Sequence, residues 1–225
     1  MLTVHHLENS RSQRILWLLE ELGVDYEIKR YGRDKHTRFA PPELKAIHPL
    51  GKAPVITDGQ MTVAESGAII EYIVDNYGKG RLRPEEGTAE RLAYTYWLHY
   101  AEGTFMPLMI ISLILGRIET APLPFFARPI AKRIVRKVRE SYLDHNVKNN
   151  LDFMEATLTK TNWFCGNQLT AADIQMSFPL EAAEVRTNLG SDYPKLVGFL
   201  ARMRARPAYK AALDKGGHYE LMNLG

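Results

Sequence analysis

The pattern of the chain changes near residue 78, and that change limits the folds open to it. Before this point short β-rich runs alternate with helical runs; after it no convincing strand occurs. Leu2–Leu7 reads as a strand. Arg11–Leu22 reads as a helix, with Ile15, Leu18, Leu19 and Leu22 at helical spacing on one side and Gly23 as the stop. Tyr26–Tyr31 is a second strand, and Pro41–Ile47 a short helix with Pro42 in its first turn. Ala53–Thr57 and Met61–Ala64 form a hairpin around Asp58-Gly59, and Ser66 opens a helix through Asn76 that Gly78 ends. The order β-α-β-α-β-β-α places the first two strands parallel through a right-handed crossover, and the hairpin adds an antiparallel pair. A four-stranded mixed sheet with helices on its faces follows.

Beyond it, Thr88–Leu115 and Ile130–Leu158 are long helical patterns. Ala171–Ala183 and Tyr193–Arg204 are shorter ones, and Pro207 opens a last helix. The stretch from Gly78 to Gly87 is rich in Gly, Pro and charge, as domain boundaries are. The expected organisation is an α/β domain at 1–79, a linker at 80–86 and an all-helical domain at 87–225.

Composition narrows the function. Apolar residues make up 45% of the 225 and charged residues 24%, which excludes disorder as the main state. A net charge of +3 is too small to imply nucleic acid. The single cysteine excludes a disulfide framework, a cysteine-built zinc site and a two-cysteine redox motif, and it suits a reducing compartment. No charged leader followed by an apolar core opens the sequence, so a cytoplasmic location is expected. The most apolar stretch, Phe105–Leu115, carries Pro107 and Ser112 and falls short of the roughly 20 residues that cross a bilayer.

Three segments carry chemistry. In Ala64-Glu65-Ser66-Gly67 a strand gives way to a helix. Ser66 can cap that helix, its free amides suit a carboxylate, and Glu65 beside it suits an ammonium, so the pair fits an α-amino acid terminus. A capped helix beside an exposed acid is the ordinary alternative. In His48-Pro49-Leu50-Gly51-Lys52-Ala53-Pro54, a proline leading into a strand from a tight loop suits a cis peptide. Such a bond turns the backbone of Ala53 outward, where an extended peptide can pair with it; an ordinary turn is the alternative. In Asn9-Ser10-Arg11-Ser12-Gln13-Arg14, hydroxyls at a helix start can stabilise a thiolate, yet no cysteine is present, so the thiol would come from a ligand. Simple capping by Ser10 or Ser12 is the alternative there.

Taken together, the element order, Ala53-Pro54 and Glu65-Ser66 make the chain resemble a cytosolic glutathione transferase over essentially its whole length. In the second half, Gly166-Asn167-Gln168-Leu169-Thr170-Ala171-Ala172-Asp173-Ile174 resembles that family's helix-capping motif. Thr170 serves there as N-cap and Asp173 as its reciprocal partner, with Leu169 and Ile174 as the hydrophobic staple. The runs Asn9-Ser10-Arg11 to Leu18-Leu19 and Ala40 to Lys45 resemble a fungal and bacterial subgroup that includes a yeast enzyme.

The resemblance implies a thioredoxin-like first domain, glutathione as co-substrate, no metal, and a homodimer with its active sites near the subunit interface. It implies that Glu65 and Ser66 hold the γ-glutamyl end, that Ala53 pairs with the cysteinyl unit beside a cis Pro54, and that Lys52 helps hold the peptide. Ser10 is the first candidate for activating the thiol, with Asn9 and Ser12 as alternatives. His5 and His6 stand where a tyrosine-type enzyme keeps its tyrosine, and the cysteine of the thiol-transferase branches is absent. The electrophile is expected between the domains, against Trp97, Tyr100, Phe105, Met106 and Met109, since methionine and aromatic side chains adapt to varied apolar ligands. Core packing explains the same spacing equally well.

The expected activity is attack of the glutathione thiolate on an electrophile held by the helical domain, with glutathione-dependent peroxidase activity as an accompaniment. A non-catalytic binding or assembly module of the same fold is one alternative, and a glutathione-dependent isomerase or dehalogenase another. Cys165 reads as a packed residue. The basic run Arg128, Lys132, Arg133, Arg136, Lys137 and Arg139 reads as a solvated helix face, with contact to anionic lipid or an acidic substrate as the lesser alternative.

Overall fold

In the computed structural model, described for residues 1–34, 36–37, 39–187, 189–219 and 221, the sheet is the one the sequence pattern implies. Strands β1 (Leu2–Leu7), β2 (Glu27–Tyr31), β3 (Val55–Asp58) and β4 (Met61–Ala64) lie in the order β2-β1-β3-β4. β1 runs parallel to β2, with Val4 opposite Ile28, and antiparallel to β3, with Val4 opposite Ile56. Gly59, at φ 57°, opens the two-residue turn that leaves Asp58 paired with Met61. That backbone geometry costs glycine little.

Helices α1 (Ser12–Leu22), α2 (Glu43–Ile47) and α3 (Ser66–Tyr77) complete the first unit. α1 departs from the expected one-sided stripe: Ile15, Leu16, Trp17, Leu18 and Leu19 are all fully buried. The cause is tertiary. α1 has β1 and α3 on one side and two helices of the second unit, α8 (Ala171–Arg186) and α10 (Pro207–Gly216), on the other. A helix covered all round must be apolar all round.

The two long helical patterns are each broken by a π-turn. The first becomes α4 (Ala89–Tyr100), a turn at Ala101–Phe105 and α5 (Met106–Thr120). The second becomes α6 (Arg128–Val138), a turn at Arg139–Leu143 and α7 (Asp144–Lys160), with α9 (Pro194–Ala205) following α8. Each π-turn carries an extra residue, so the inward face shifts where a regular helix would have held it. The combined run Ala89–Thr120 also corrects the estimate made from Phe105–Leu115. By length and composition alone it is sufficient to cross a bilayer. In this fold it packs against α8 and places Trp97, Phe105 and Met109 in the core.

α8 is the axis of the helical half, buried from Ala171 to Ala183. Its start is the expected capping box: the Asp173 carboxylate accepts the Thr170 amide at 2.8 Å, the Thr170 hydroxyl at 2.8 Å and the Phe164 amide at 2.7 Å. The basic helix α6 buries Val135 and leaves Ile130 and Ile134 exposed beside its cations.

Candidate functional site

Three segment ends converge at one end of the sheet, where β1 finishes, β3 begins and β4 finishes. The first is the turn from β1 into α1. Asn9 takes φ 50°, a left-handed geometry that asparagine tolerates better than most residues, and lines the cleft with Ser10 and Arg11. Capping here differs from expectation, because Arg11 is the N-cap and offers no side-chain bond to the helix. Ser10 Oγ instead accepts the Ser12 amide at 3.2 Å and lies 2.7 Å from Ser12 Oγ. Ser12 is fully buried, its hydroxyl 2.8 Å from His6 Nδ1 and 3.3 Å from the Leu7 carbonyl. Of the three candidates for the thiol, Asn9 and Ser10 face the cleft and Ser12 backs them.

The second is the entry to β3. The Ala53-Pro54 peptide is cis, as its position before the strand suggested, and Lys52, Ala53 and Pro54 all line the cleft edge. The third is the start of α3. Here the expectation of Ser66 as a cap is corrected: Glu65 is the N-cap and Ser66 the first helical residue. The Ser66 hydroxyl is occupied across the domain boundary, accepting Gln175 Nε2 at 3.2 Å and Arg14 Nη1 at 3.5 Å. Glu65 sits at φ 69°, uncommon for a long side chain. Such strain persists where surrounding structure enforces it, and here it turns the Glu65 backbone at the rim of a recess of about 260 Å³.

That recess is lined by Lys52, Ala53, Pro54, Glu65 and Ser66, with Arg11 and Glu102 closing it from the helical side. Glu102, on the first π-turn, accepts Arg11 Nε at 3.0 Å and Arg14 Nη1 at 2.9 Å. Burial opposes its ionisation, but the Arg14 and Arg11 guanidiniums outweigh burial and hold its carboxyl below the ordinary range. Sequence reading missed this group. Arg14 stood inside a motif already singled out, but its partners are 88 and 161 positions away, beyond any local signal.

The recess shares Arg11, Lys52, Ala53 and Ile110 with a cleft of about 940 Å³ bounded by Asn9, Ser10 and Arg11 on one side and by α5 and α8 on the other. The helical wall is Met106, Ile110, Leu113, Phe178 and Arg186. Of the five residues expected there, Met106 alone lines it. Trp97 and Tyr100 are buried in a ring cluster with Phe153, Trp97 lying 5.4 Å from it, while Phe105 and Met109 are fully buried. The π-turn explains the mismatch, because it resets which side of the run faces the sheet.

Two titrating groups bear on the chemistry. Cys165 is buried, and burial, reinforced by Asp173, pushes its thiol up to about 12, so the protein's own sulfur is inert near neutral pH. His6 is driven down to about 4 by burial and by Arg30, against a weaker opposing hydrogen bond that its ring donates to the Gly216 carbonyl.

Family models for the N-terminal and the C-terminal domain of glutathione S-transferase match residues 1–75 and 118–207. Glutathione S-transferase 3 of Schizosaccharomyces pombe is 38% identical over 215 residues, covering 96% of this chain and 88% of its own. The chain belongs to the glutathione S-transferase family. Glutathione S-transferase 1 of Saccharomyces cerevisiae is 35% identical over 223 residues, covering 96% and 95%. The crystal structure of a glutathione S-transferase from Actinobacillus pleuropneumoniae, 36% identical, superimposes with a TM-score of 0.81 over 100% of this chain and 97% of that one. The chain is thus a transferase by family and an enzyme, and the binding-module and isomerase alternatives have no comparable support.

A transferase whose His6 stays neutral when folded should lose stability in acid. The unfolded chain binds a proton at this side chain below its ordinary value of 6.5, while the folded state resists until about 4. The contribution is therefore complete above pH 6.5 and lost as pH falls to about 4, a change of about 3 kcal/mol. Urea unfolding across that range should show the loss, and His6→Asn should flatten it.

Proposed function

We propose that glutathione lies along the β3 entry with its γ-glutamyl end at α3 and its sulfur at the β1–α1 turn. The carboxylate of the γ-glutamyl unit meets the first amides of α3 and Ser66, where the dipole of a 12-residue helix favours negative charge. Glu65 receives the ammonium. The cysteinyl unit pairs with the Ala53 backbone, and Lys52 offers its ammonium to the peptide. The observation that carries this reading is the placing of Ser10 and Ser66 on two adjoining pockets that share Arg11, Lys52 and Ala53.

Ser10 activates the thiol, with Asn9 beside it. Neutral His6 has a single ring proton, and the Gly216 carbonyl, which accepts from the ring, holds it on Nε2. His6 Nδ1 therefore accepts from the Ser12 hydroxyl at 2.8 Å. Ser10 Oγ accepts the Ser12 amide at 3.2 Å, and the Ser10 proton turns from Ser12 to the thiolate when glutathione is bound. The adjacent Arg11 guanidinium adds positive charge on the same side. The ionised sulfur then attacks the electrophile against the α5–α8 wall: the carbon–sulfur bond forms as the leaving group departs, and the thiol proton passes to solvent. Reduction of hydroperoxides by the same thiolate is the accompanying activity.

The transferase acts as a homodimer in the cytoplasm, serving the removal of electrophiles. Leu92, 74% exposed, and Tyr96, 48% exposed, flank a surface hollow of about 490 Å³ on α4, an apolar face that a second copy would cover.

Ser10→Ala should raise the pKa of bound glutathione by about one to two units, since one charge-assisted hydrogen bond contributes roughly 1.5–3 kcal/mol. Ultraviolet titration of the thiolate measures this, and an unmoved curve transfers the role to Asn9. Ser66→Ala should weaken glutathione binding about tenfold by calorimetry; unaltered affinity would remove α3 from the site. Leu92→Arg should halve the mass found by light scattering, and a wild-type monomer at micromolar concentration would refute the dimer.

A further inference from the structure

The wall that α5 and α8 give the cleft is apolar except at one point. Met106, Ile110 and Leu113 on α5 and Phe178 on α8 make it hydrocarbon and aromatic, and Arg186, the last residue of α8, faces the same space. The other guanidiniums nearby have strong partners. Arg11 and Arg14 share Glu102, and Arg33 donates to the Glu8 and Asn9 carbonyls. Arg186 donates only a long bond, 3.5 Å from Nη1 to the Met109 carbonyl, and forms no ion pair among the described residues. Asp144 and Asp192 line a separate recess behind it, yet the charges that act on Arg186 most strongly are the cations Arg11 and Arg117. Burial and these like charges together pull its pKa below the ordinary arginine value.

A half-buried guanidinium with no carboxylate is an unfavourable arrangement in the free protein, and an anionic ligand relieves it. Glutathione does not need this group: α3 takes the γ-glutamyl carboxylate, and Lys52, which lines both the recess and the cleft, is the cation for the glycyl carboxylate. The second substrate is what remains for Arg186 to meet. We propose that Arg186 is an anion anchor for the electrophile, so that the transferase prefers substrates bearing a carboxylate on an apolar body. This rests on the reading of the cleft given above. The hydrocarbon walls hold the body, the guanidinium takes the carboxylate in a bidentate pair, and the reactive carbon is turned toward the sulfur at Ser10. With an aryl halide of this kind the thiolate forms the carbon–sulfur bond and halide leaves with the electron pair of the broken carbon–halogen bond. The carboxylate itself does not react.

The test uses a chloronitrobenzoate and its uncharged amide, assayed with the full-length enzyme and glutathione, alongside calorimetric affinity for glutathione alone. Wild type should favour the acid. Arg186→Met should lower the acid-to-amide ratio of kcat/KM about tenfold, chiefly through the KM of the acid. Arg186→Lys should restore part of the ratio, because it keeps charge but not the bidentate fork; it also serves where the methionine variant fails to fold. A ratio unchanged in both variants, or an equal fall for acid and amide, overturns the anchor. If wild type turns over the amide and binds glutathione while the ratio stays fixed, the anchor alone fails. If wild type binds no glutathione, the reading of the cleft fails and the anchor with it.

Discussion

The arrangement of this transferase depends on one fully buried cation. Arg14 projects from α1 into the seam between the sheet domain and the helices, where it reaches Glu102 at 2.9 Å, Gln175 at 2.7 Å and Ser66 at 3.5 Å. Those contacts reach the first π-turn, α8 and the start of α3, so one guanidinium holds three elements of the site in register. Its Nε and Nη2 have no hydrogen-bond partner among the described residues. An ion pair to a buried cation adds little net stability, because desolvation cancels much of the attraction, but loss of Glu102 strands the Arg14 charge at a cost of about 3–5 kcal/mol, whereas Glu102 without Arg14 keeps Arg11. Its value is positional. Ser66 and Glu102 stand where they do because the alternative is an unpaired charge in the core.

The same economy of charge runs through the cleft. The protein's own thiol is buried and kept protonated, so the reactive sulfur has to arrive with the ligand. Cations and donors line the cleft and its recess, with Arg11, Lys52 and Arg186 on the walls, the start of α3 at one end and Ser10 at the turn. His6 and Ser12 are shielded from water, so the chain from Ser10 through Ser12 to His6 lies in a low-dielectric setting, where each link strengthens the next.

Much of this was legible in sequence, and locality explains which part. Ala53-Pro54 announced its cis bond because a proline at a strand entry has few uses. Thr170 and Asp173 announced their capping box because both partners lie within one turn. The sheet order followed from strand spacing and crossover handedness. The electrophile wall was illegible for the opposite reason. Trp97, Tyr100, Phe105, Met106 and Met109 share one helical pattern, and only the π-turn at Ala101–Phe105, which no periodicity encodes, decides that Met106 faces the cleft while Phe105 and Met109 face the core. Ser66 misled in a smaller way: its hydroxyl suited a cap, but Gln175, 109 positions away, claims it.

These two kinds of legibility map onto two halves of the site with different demands. The half read here as binding glutathione is made from strand ends, a cis peptide and a helix start, all fixed by local backbone geometry and locked by Arg14. A ligand that never changes can be met by such parts. The electrophile half is made from side chains on two helices that cross the cleft, Ile110 and Leu113 from α5 and Phe178 and Arg186 from α8. Of these, the Phe178 ring also lies 5.2 Å from the Arg11 and Arg14 guanidiniums and so ties the two halves together. Specificity for the second substrate thus resides in positions that a short motif cannot record, because it is the sum of side chains brought together only when α5 and α8 pack.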